Sequence, residues 1–100
     1  NMSRWAGAEF RRHDARMVTE ALAASCNFDS RKWLTPVDVP TTIVVTTKDR
    51  AVPPQEQLRL LLAIPQAQVH LHDEGHTWCA KPSFGPAVAD ACRRVAPAPR

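Results

Sequence analysis

The chain has 100 residues, of which 44% are hydrophobic, and it carries a formal net charge of +3. This length corresponds to one small domain or to part of a larger one. The basic residues are dispersed and form no stripe with interleaved aromatic residues, which argues against a nucleic-acid interface, and no apolar run approaches the roughly 20 residues that span a bilayer.

The first predicted element is one long helix over residues 3–26. Its apolar residues cluster on one side and its charged residues lie elsewhere, as the 3.6-residue period of an amphipathic helix requires. Ser3 is a suitable N-cap because its hydroxyl can accept a free N–H of the first turn. Residues 31–40 are predicted to connect this helix to the rest, with Trp33 and Leu34 docking on a core. The apolar residues of the helix are Phe10, Met17, Val18, Ala21 and Leu22.

Residues 41–47 give the clearest strand signal in the chain. Their sequence, Thr-Thr-Ile-Val-Val-Thr-Thr, is entirely β-branched, and β-branched side chains favour strands. The centre of the run lacks polar alternation, which is typical of a strand that is covered on both faces, as in a parallel sheet. We therefore expect a buried strand here, followed by Lys48 and Asp49.

Two further helices and a second strand are predicted after it. Pro53 and Pro54 open a helix with an apolar stripe, and Pro65 closes it. Residues 67–72 alternate apolar and polar side chains, which indicates a half-covered strand near a sheet edge. A last helix is predicted from residue 82 or 83 to residue 95, before a disordered tail over residues 96–100. The apolar stripe of the first of these helices comprises Leu58, Leu61 and Leu62.

The order of the elements predicts an α/β fold. A strand–helix–strand unit with loops this short implies parallel strands joined by a right-handed crossover. We divide the chain into an N-terminal helix and connector (1–35), an α/β portion (36–95) and the tail. Functional loops of such sheets gather at the carboxyl ends of the strands. Asp49 and His76 each follow a strand, so we expect both side chains at one rim.

An acid and a histidine at one rim are two members of a hydrolytic triad. In a triad the histidine takes a proton from the nucleophile, and the acid holds the imidazole in the required tautomer and orientation. Gly75, beside His76, is expected to let the loop turn tightly. Asp49 and His76 are therefore the candidate catalytic residues.

Three sequence segments follow one another between residues 37 and 76. The first segment, residues 37–54, is Val-Asp-Val-Pro-Thr-Thr-Ile-Val-Val-Thr-Thr-Lys-Asp-Arg-Ala-Val-Pro-Pro. The second, residues 62–67, is Leu-Ala-Ile-Pro-Gln-Ala, and the third is Gly75-His76, which precedes an amphipathic helix. Residues 37–95 thereby resemble the C-terminal end of an α/β-hydrolase, and the preceding residues resemble, less specifically, actinobacterial members of that family. The resemblance implies the last strand–helix–strand–helix part of the hydrolase sheet, with Asp49 as triad acid and His76 as triad base.

The same resemblance implies a serine hydrolase that acts on a small-molecule ester or acyl substrate through a covalent acyl-serine, without a cofactor. The nucleophile of the family lies upstream on a Gly-x-Ser-x-Gly elbow, and no serine of this chain has that context. We therefore expect these 100 residues to be inactive alone. The serines are Ser3, Ser25, Ser30 and Ser83.

Other side chains near His76 leave alternatives open. Asp73 and Glu74 are either further acids or solvated loop charges. Trp78 and Cys79 are candidate substrate-binding residues, but residues of these types also pack in cores. Cys79 is a nucleophile candidate as well, although no elbow presents it.

Zinc binding is the competing chemistry. His70, His72, His76 and Cys79 are all ligand types that zinc accepts. Their spacing matches no standard structural zinc site, and we predict no metal.

A non-enzymatic alternative follows from the size of the predicted sheet. Two strands are too few for an independent sheet, and a bare β-branched edge invites pairing. We therefore expect a dimer or association with a missing N-terminal portion, and the alternative function is a module that binds a partner through its open edge.

The cysteines bear on the cellular compartment. Cys26, Cys79 and Cys92 are odd in number and unrelated in spacing, which argues against a disulfide framework. Together with the lack of a visible secretory signal, they predict a reducing, cytoplasmic setting.

Overall fold

The computed structural model describes residues 1–97, so the predicted tail lies outside the described residues from residue 98 onward. The chain divides into two compact units, Asn1–Ser30 and Arg31–Arg100. The sequence-based division, by comparison, falls after residue 35. The elements in chain order are α1 (Met2–Arg12), α2 (Ala15–Asn27), α3 (Arg31–Leu34), β1 (Thr42–Thr46), α4 (Pro54–Leu58), α5 (Leu60–Ala63), β2 (Gln68–His72), a 3₁₀ turn (Trp78–Ala80) and α6 (Phe84–Val95).

The first unit contains two helices where the sequence predicts one. The prediction of a single helix over residues 3–26 is wrong, because the chain leaves helical geometry at His13 and Asp14. The Asp14 carboxylate accepts first-turn N–H groups of α2, and such local side-chain acceptors compete with continuation of the preceding helix. Asn1 caps α1 by accepting the N–H of Ser3, so Ser3 is not the cap.

The helices of the first unit bury little surface. They contact each other, yet no residue of α1 or α2 is buried. Phe10, Met17 and Leu22 are 55%, 70% and 60% exposed. The apolar stripe that the sequence shows is therefore largely uncovered.

The second unit is built on a small parallel sheet. β1 and β2 pair in parallel, with Ile43 opposite Val69 and Val45 opposite Leu71. This confirms the prediction of mixed α/β structure with two parallel strands. β1 coincides with the β-branched run, but its two faces are not equally covered: Ile43 and Val45 are buried, whereas Thr42, Val44 and Thr46 on the other face are half-buried.

The core of the second unit surrounds β1. Both α4 and α6 contact this strand, and Val45 is fully buried. Trp33, by contrast, is 57% exposed and lies outside this core. The predicted helix after Pro53 is broken at Arg59 into α4 and α5, whereas the predicted last helix is present as α6. The other buried apolar residues are Ile43, Ile64, Trp78 and Ala91.

Candidate functional site

The loops that follow β1 and β2 are joined by backbone hydrogen bonds. Thr47 N–H donates to the His72 carbonyl at 2.9 Å, and Lys48 N–H donates to the Glu74 carbonyl at 2.9 Å. Pairing therefore continues past the ends of both strands. As a result, the residues just beyond these two carboxyl ends are held side by side.

Asp49 and His76 meet at this rim, as the topology predicts. His76 Nδ1 lies 3.0 Å from Asp49 Oδ2. Asp49 is only 8% exposed, whereas the His76 side chain is 59% exposed. An ionised carboxylate can only accept hydrogen bonds, so Nδ1 carries a proton, and in the neutral imidazole Nε2 then keeps its lone pair. Among residues 1–97, Nε2 has no hydrogen-bond partner.

Four donors surround the Asp49 carboxylate. Its Oδ1 accepts the backbone N–H groups of Ala51 (2.9 Å) and Val52 (2.8 Å), and its Oδ2 accepts Thr46 Oγ1–H (3.1 Å) as well as His76 Nδ1–H. The pKa of Asp49 lies below its ordinary value, chiefly because the Val52 N–H donates a hydrogen bond to the ionised carboxylate. Burial opposes ionisation, but the hydrogen bonds outweigh it. Asp49 is therefore an anion at neutral pH.

Gln57 on α4 reaches the same region from the outer edge of β1. Its Oε1 accepts the Thr46 N–H at 2.9 Å, and its Nε2 lies 3.1 Å from the Thr46 carbonyl and 3.0 Å from Thr46 Oγ1. Nε2 also donates to the Val52 carbonyl at 2.7 Å. Neither Gln57 nor Thr46 was a predicted site residue. One signal was present in the sequence, because Gln57 lies four positions before Leu61, on the apolar side of the single helix that the sequence predicts after Pro53.

Asp73 and Glu74 pair with lysines. Lys48 Nζ lies 2.8 Å from Asp73 Oδ2, and Lys81 Nζ pairs with Glu74. The hydrogen bond from Lys48 lowers the pKa of Asp73, and the same bond raises the pKa of Lys48. The side chains of Lys48 and Asp73 are 67% and 73% exposed. Asp73 is therefore a charge of the exposed loop surface, whereas the Glu74 side chain is 25% exposed and is paired with Lys81. Asp49 is the acid that contacts His76.

Trp78 and Cys79 occupy different environments. Trp78 is 3% exposed, and its ring lies 4.5 Å from that of His72 and 5.1 Å from that of Phe84. Its Nε1–H donates to Ser83 Oγ at 2.9 Å. Cys79 is exposed and has a free thiol. The structure thus puts Trp78 in the core, and a substrate-binding role for this pair stays a prediction.

The turn before His76 needs no special backbone geometry. No glycine among the described residues has a positive φ. A Cβ added to Gly75 would meet the Lys48 carbonyl oxygen at 3.8 Å, which is ordinary van der Waals contact. The loop at Gly75, which the sequence predicts to turn tightly, therefore makes no use of the conformational freedom of glycine.

The candidate zinc ligands do not form a cluster. Within residues 1–97, no three histidine, cysteine, aspartate or glutamate side chains come close enough together to hold a metal ion. His72 instead stacks on Trp78.

Among the described residues 1–97, no helix combines the length and apolar character that crossing a membrane requires.

No protein-family model, curated protein or solved structure matches this chain. A small parallel sheet supports many activities, so function has to be argued from the site. The groups that bear on function here are Asp49, His76 and the residues that hold them.

Proposed function

We propose that this chain is the C-terminal part of a serine hydrolase of the α/β-hydrolase type. In this proposal Asp49 is the triad acid and His76 is the triad base for hydrolysis of an ester or acyl substrate. One observation carries the proposal: the 3.0 Å contact between Nδ1 of a largely exposed imidazole and Oδ2 of a buried carboxylate.

The chemistry follows from the tautomer. With the proton held on Nδ1, His76 Nε2 can take the proton of a serine hydroxyl as its oxygen attacks the carbonyl carbon. The same nitrogen then gives that proton to the leaving alkoxide. Asp49 stabilises the imidazolium that forms between the two steps. The serine and the oxyanion-hole donors come from a segment outside these residues, and a single such donor contributes about 3 kcal/mol to catalysis.

The experiment uses the protein joined to the coding sequence that precedes Asn1, provided that this sequence encodes Gly-x-Ser-x-Gly. Hydrolysis of short-chain p-nitrophenyl esters is measured for the joined protein and for the 100-residue chain. We expect turnover only by the joined protein, with losses of about 10⁴-fold in His76→Ala and Asp49→Asn.

The matched control is Asp73→Asn, which removes a neighbouring acid that is paired with Lys48 and should leave turnover unchanged. Full activity in both His76→Ala and Asp49→Asn would refute the triad assignment.

A second candidate function is partner binding through the free edge of β1. Successive residues of a strand direct their backbone N–H and C=O groups to alternate sides of the strand. The Thr41 carbonyl and the Thr47 N–H form hydrogen bonds with β2. The backbone groups of Thr42 and Val44 therefore point away from β2. Within residues 1–97, these two residues have no backbone partner on that side. An apolar groove of about 320 Å³ lies beside them. It is lined by residues of α6 and the start of β1, including Val88, Ala91, Cys92 and Val95.

Light scattering after size-exclusion chromatography tests this candidate. A module that pairs edge to edge should give about twice the 11.1 kDa mass of the chain at micromolar concentration. A mass that stays monomeric throughout the micromolar range counts against it.

A further inference from the structure

We infer that Gln57, acting through the Thr46 hydroxyl, is a positioning residue that fixes the Asp49 carboxylate and thereby the tautomer of His76. The inference rests on the proposed function, because it assigns a supporting role to residues beyond the acid and the base. Its evidence is the set of contacts that join α4, β1 and the loop after β1.

The Gln57 amide is oriented by the backbone of Thr46. Thr46 N–H needs an acceptor and its carbonyl needs a donor, and the two ends of the amide supply them at 2.9 and 3.1 Å. A rotated amide would set two donors against each other at one end and two acceptors at the other. The Val52 carbonyl, 2.7 Å from Nε2, requires the same orientation. The donor end of the amide therefore faces Thr46 Oγ1.

The position of the Thr46 hydroxyl proton follows from this orientation. Nε2 has no lone pair for a hydrogen bond, so Thr46 Oγ1 accepts from it at 3.0 Å. The amide has two N–H groups for three acceptors, so one N–H is shared between the Thr46 carbonyl and Thr46 Oγ1, and the other donates to the Val52 carbonyl. The hydroxyl proton then has two acceptors within reach, Asp49 Oδ2 at 3.1 Å and Gln57 Oε1 at 3.3 Å. The first is closer and charged, and charge-assisted hydrogen bonds are the stronger ones. Thr46 therefore donates to Asp49.

This donation decides which carboxylate oxygen faces His76. Oδ1 is held by two backbone N–H groups of the following turn, and Oδ2 is held by the Thr46 hydroxyl. Rotation of the carboxylate would break bonds at both oxygens. The nearby charged side chains of Lys48, Asp73, Glu74 and Lys81 are engaged in pairs of their own. Gln57 and Thr46 are thus the side chains that keep Oδ2 in line with Nδ1.

Two pairs of variants separate this role from general effects on the fold. Thr46→Val removes the hydroxyl at nearly constant shape, whereas Thr46→Ser retains it. Gln57→Glu keeps the length of the side chain but replaces the donor with an acceptor, which draws the Thr46 hydroxyl proton away from Asp49. Gln55→Glu introduces the same charge at an exposed position of α4. Thr46→Val and Gln57→Glu should weaken the hydrogen bond from the Thr46 hydroxyl to Asp49. Their controls, Thr46→Ser and Gln55→Glu, should leave it intact.

The measurement is the tautomer ratio of His76 in the ¹⁵N-labelled 100-residue chain. Long-range ¹H–¹⁵N correlation spectra at about pH 9, above the ordinary titration range of histidine, show which ring nitrogen carries the proton. A His76→Gln spectrum assigns the signals. We expect the Nδ1–H form to predominate in the wild type, Thr46→Ser and Gln55→Glu. In Thr46→Val and Gln57→Glu the ratio should move about tenfold toward the Nε2–H form, the factor expected for one charge-assisted hydrogen bond.

Asp49→Ala is the reference for complete loss of the acid, and its ratio should move at least as far. An unchanged ratio in Thr46→Val and Gln57→Glu, while Asp49→Ala shifts, overturns the inference without touching the proposed function. An equal shift in Gln55→Glu also overturns it, because charge alone would then be the cause. If Gln57→Glu fails to fold, Thr46→Val decides the matter alone. Failure of the proposed function shows separately, as absence of ester hydrolysis by the joined protein.

Discussion

His76 Nδ1 lies 3.0 Å from Asp49 Oδ2, although the two residues are 27 positions apart in the sequence. The contact depends on the register of the sheet, because Thr47 donates a backbone hydrogen bond to His72, the last residue of β2, and Lys48 donates one to Glu74 in the loop that leads to His76. A slip of this register would separate the two side chains. The hydrogen bonds that pair β1 with β2 therefore also set the distance between Asp49 and His76.

Acid should destabilise the chain through Asp49. Its folded pKa lies below the ordinary value of 3.8, so the unfolded state binds the proton more readily. The stabilisation is complete above the ordinary value and is lost as the pH falls through the folded pKa. Urea midpoints measured from about pH 6 to about pH 3 should decline, and they should decline less in Asp49→Asn. Identical pH profiles for the two proteins would contradict this prediction.

Val45→Ala should lower the free energy of unfolding by about 2 kcal/mol, through lost burial and the cavity that remains. Val45 is the fully buried side chain at the centre of β1. The matched control is Val39→Ala, because Val39 is 60% exposed and should change stability by less than about 0.5 kcal/mol. Urea unfolding with an unchanged m-value measures both. Equal effects would mean that β1 is not the centre of the core.

Trp78→Ala should cost about 3–5 kcal/mol, the usual range for a buried large aromatic side chain. The ring packs between His72 and Phe84 and donates to Ser83. Trp5→Ala is the control, since Trp5 is 61% exposed. Thermal unfolding followed by circular dichroism compares them. A Trp78 variant as stable as the Trp5 variant would leave Trp78 available for the substrate-binding role.

Gly75→Ala should be neutral or stabilise the chain by up to about 1 kcal/mol. The added methyl meets only ordinary contacts, and alanine reduces the conformational freedom of the unfolded chain. Urea unfolding gives the change, and the His76 spectrum shows whether the loop keeps its geometry. A loss of more than about 1 kcal/mol would show that the turn needs glycine after all.

The sequence was most informative where pattern and burial agree. The β-branched run of β1 and the apolar spacing of α6 predict their elements closely, because a strand or helix with a covered face requires that period. The meeting of Asp49 and His76 also follows from topology, since parallel strands end at one edge. Their distance, the burial of Asp49 and the exposure of His76 depend on side-chain packing that no local pattern encodes.

The failures have local physical causes. The apolar period of the first unit continues across His13 and Asp14, but the carboxylate of Asp14 captures backbone N–H groups and starts a new helix. The sequence does not single out Gln57 as a site residue, because a glutamine on a helix is ordinarily a surface residue. Its role arises only where α4 approaches the outer edge of β1.

The Gln57 amide also sets a limit on how far the sheet can be extended. It occupies both backbone hydrogen-bonding groups of Thr46 on the outer side of β1, as the next strand would. A chain that adds to this edge can pair with Thr42 and Val44 but must stop before Thr46. Gln57 therefore blocks pairing of an added strand at the end of β1 where Asp49 lies.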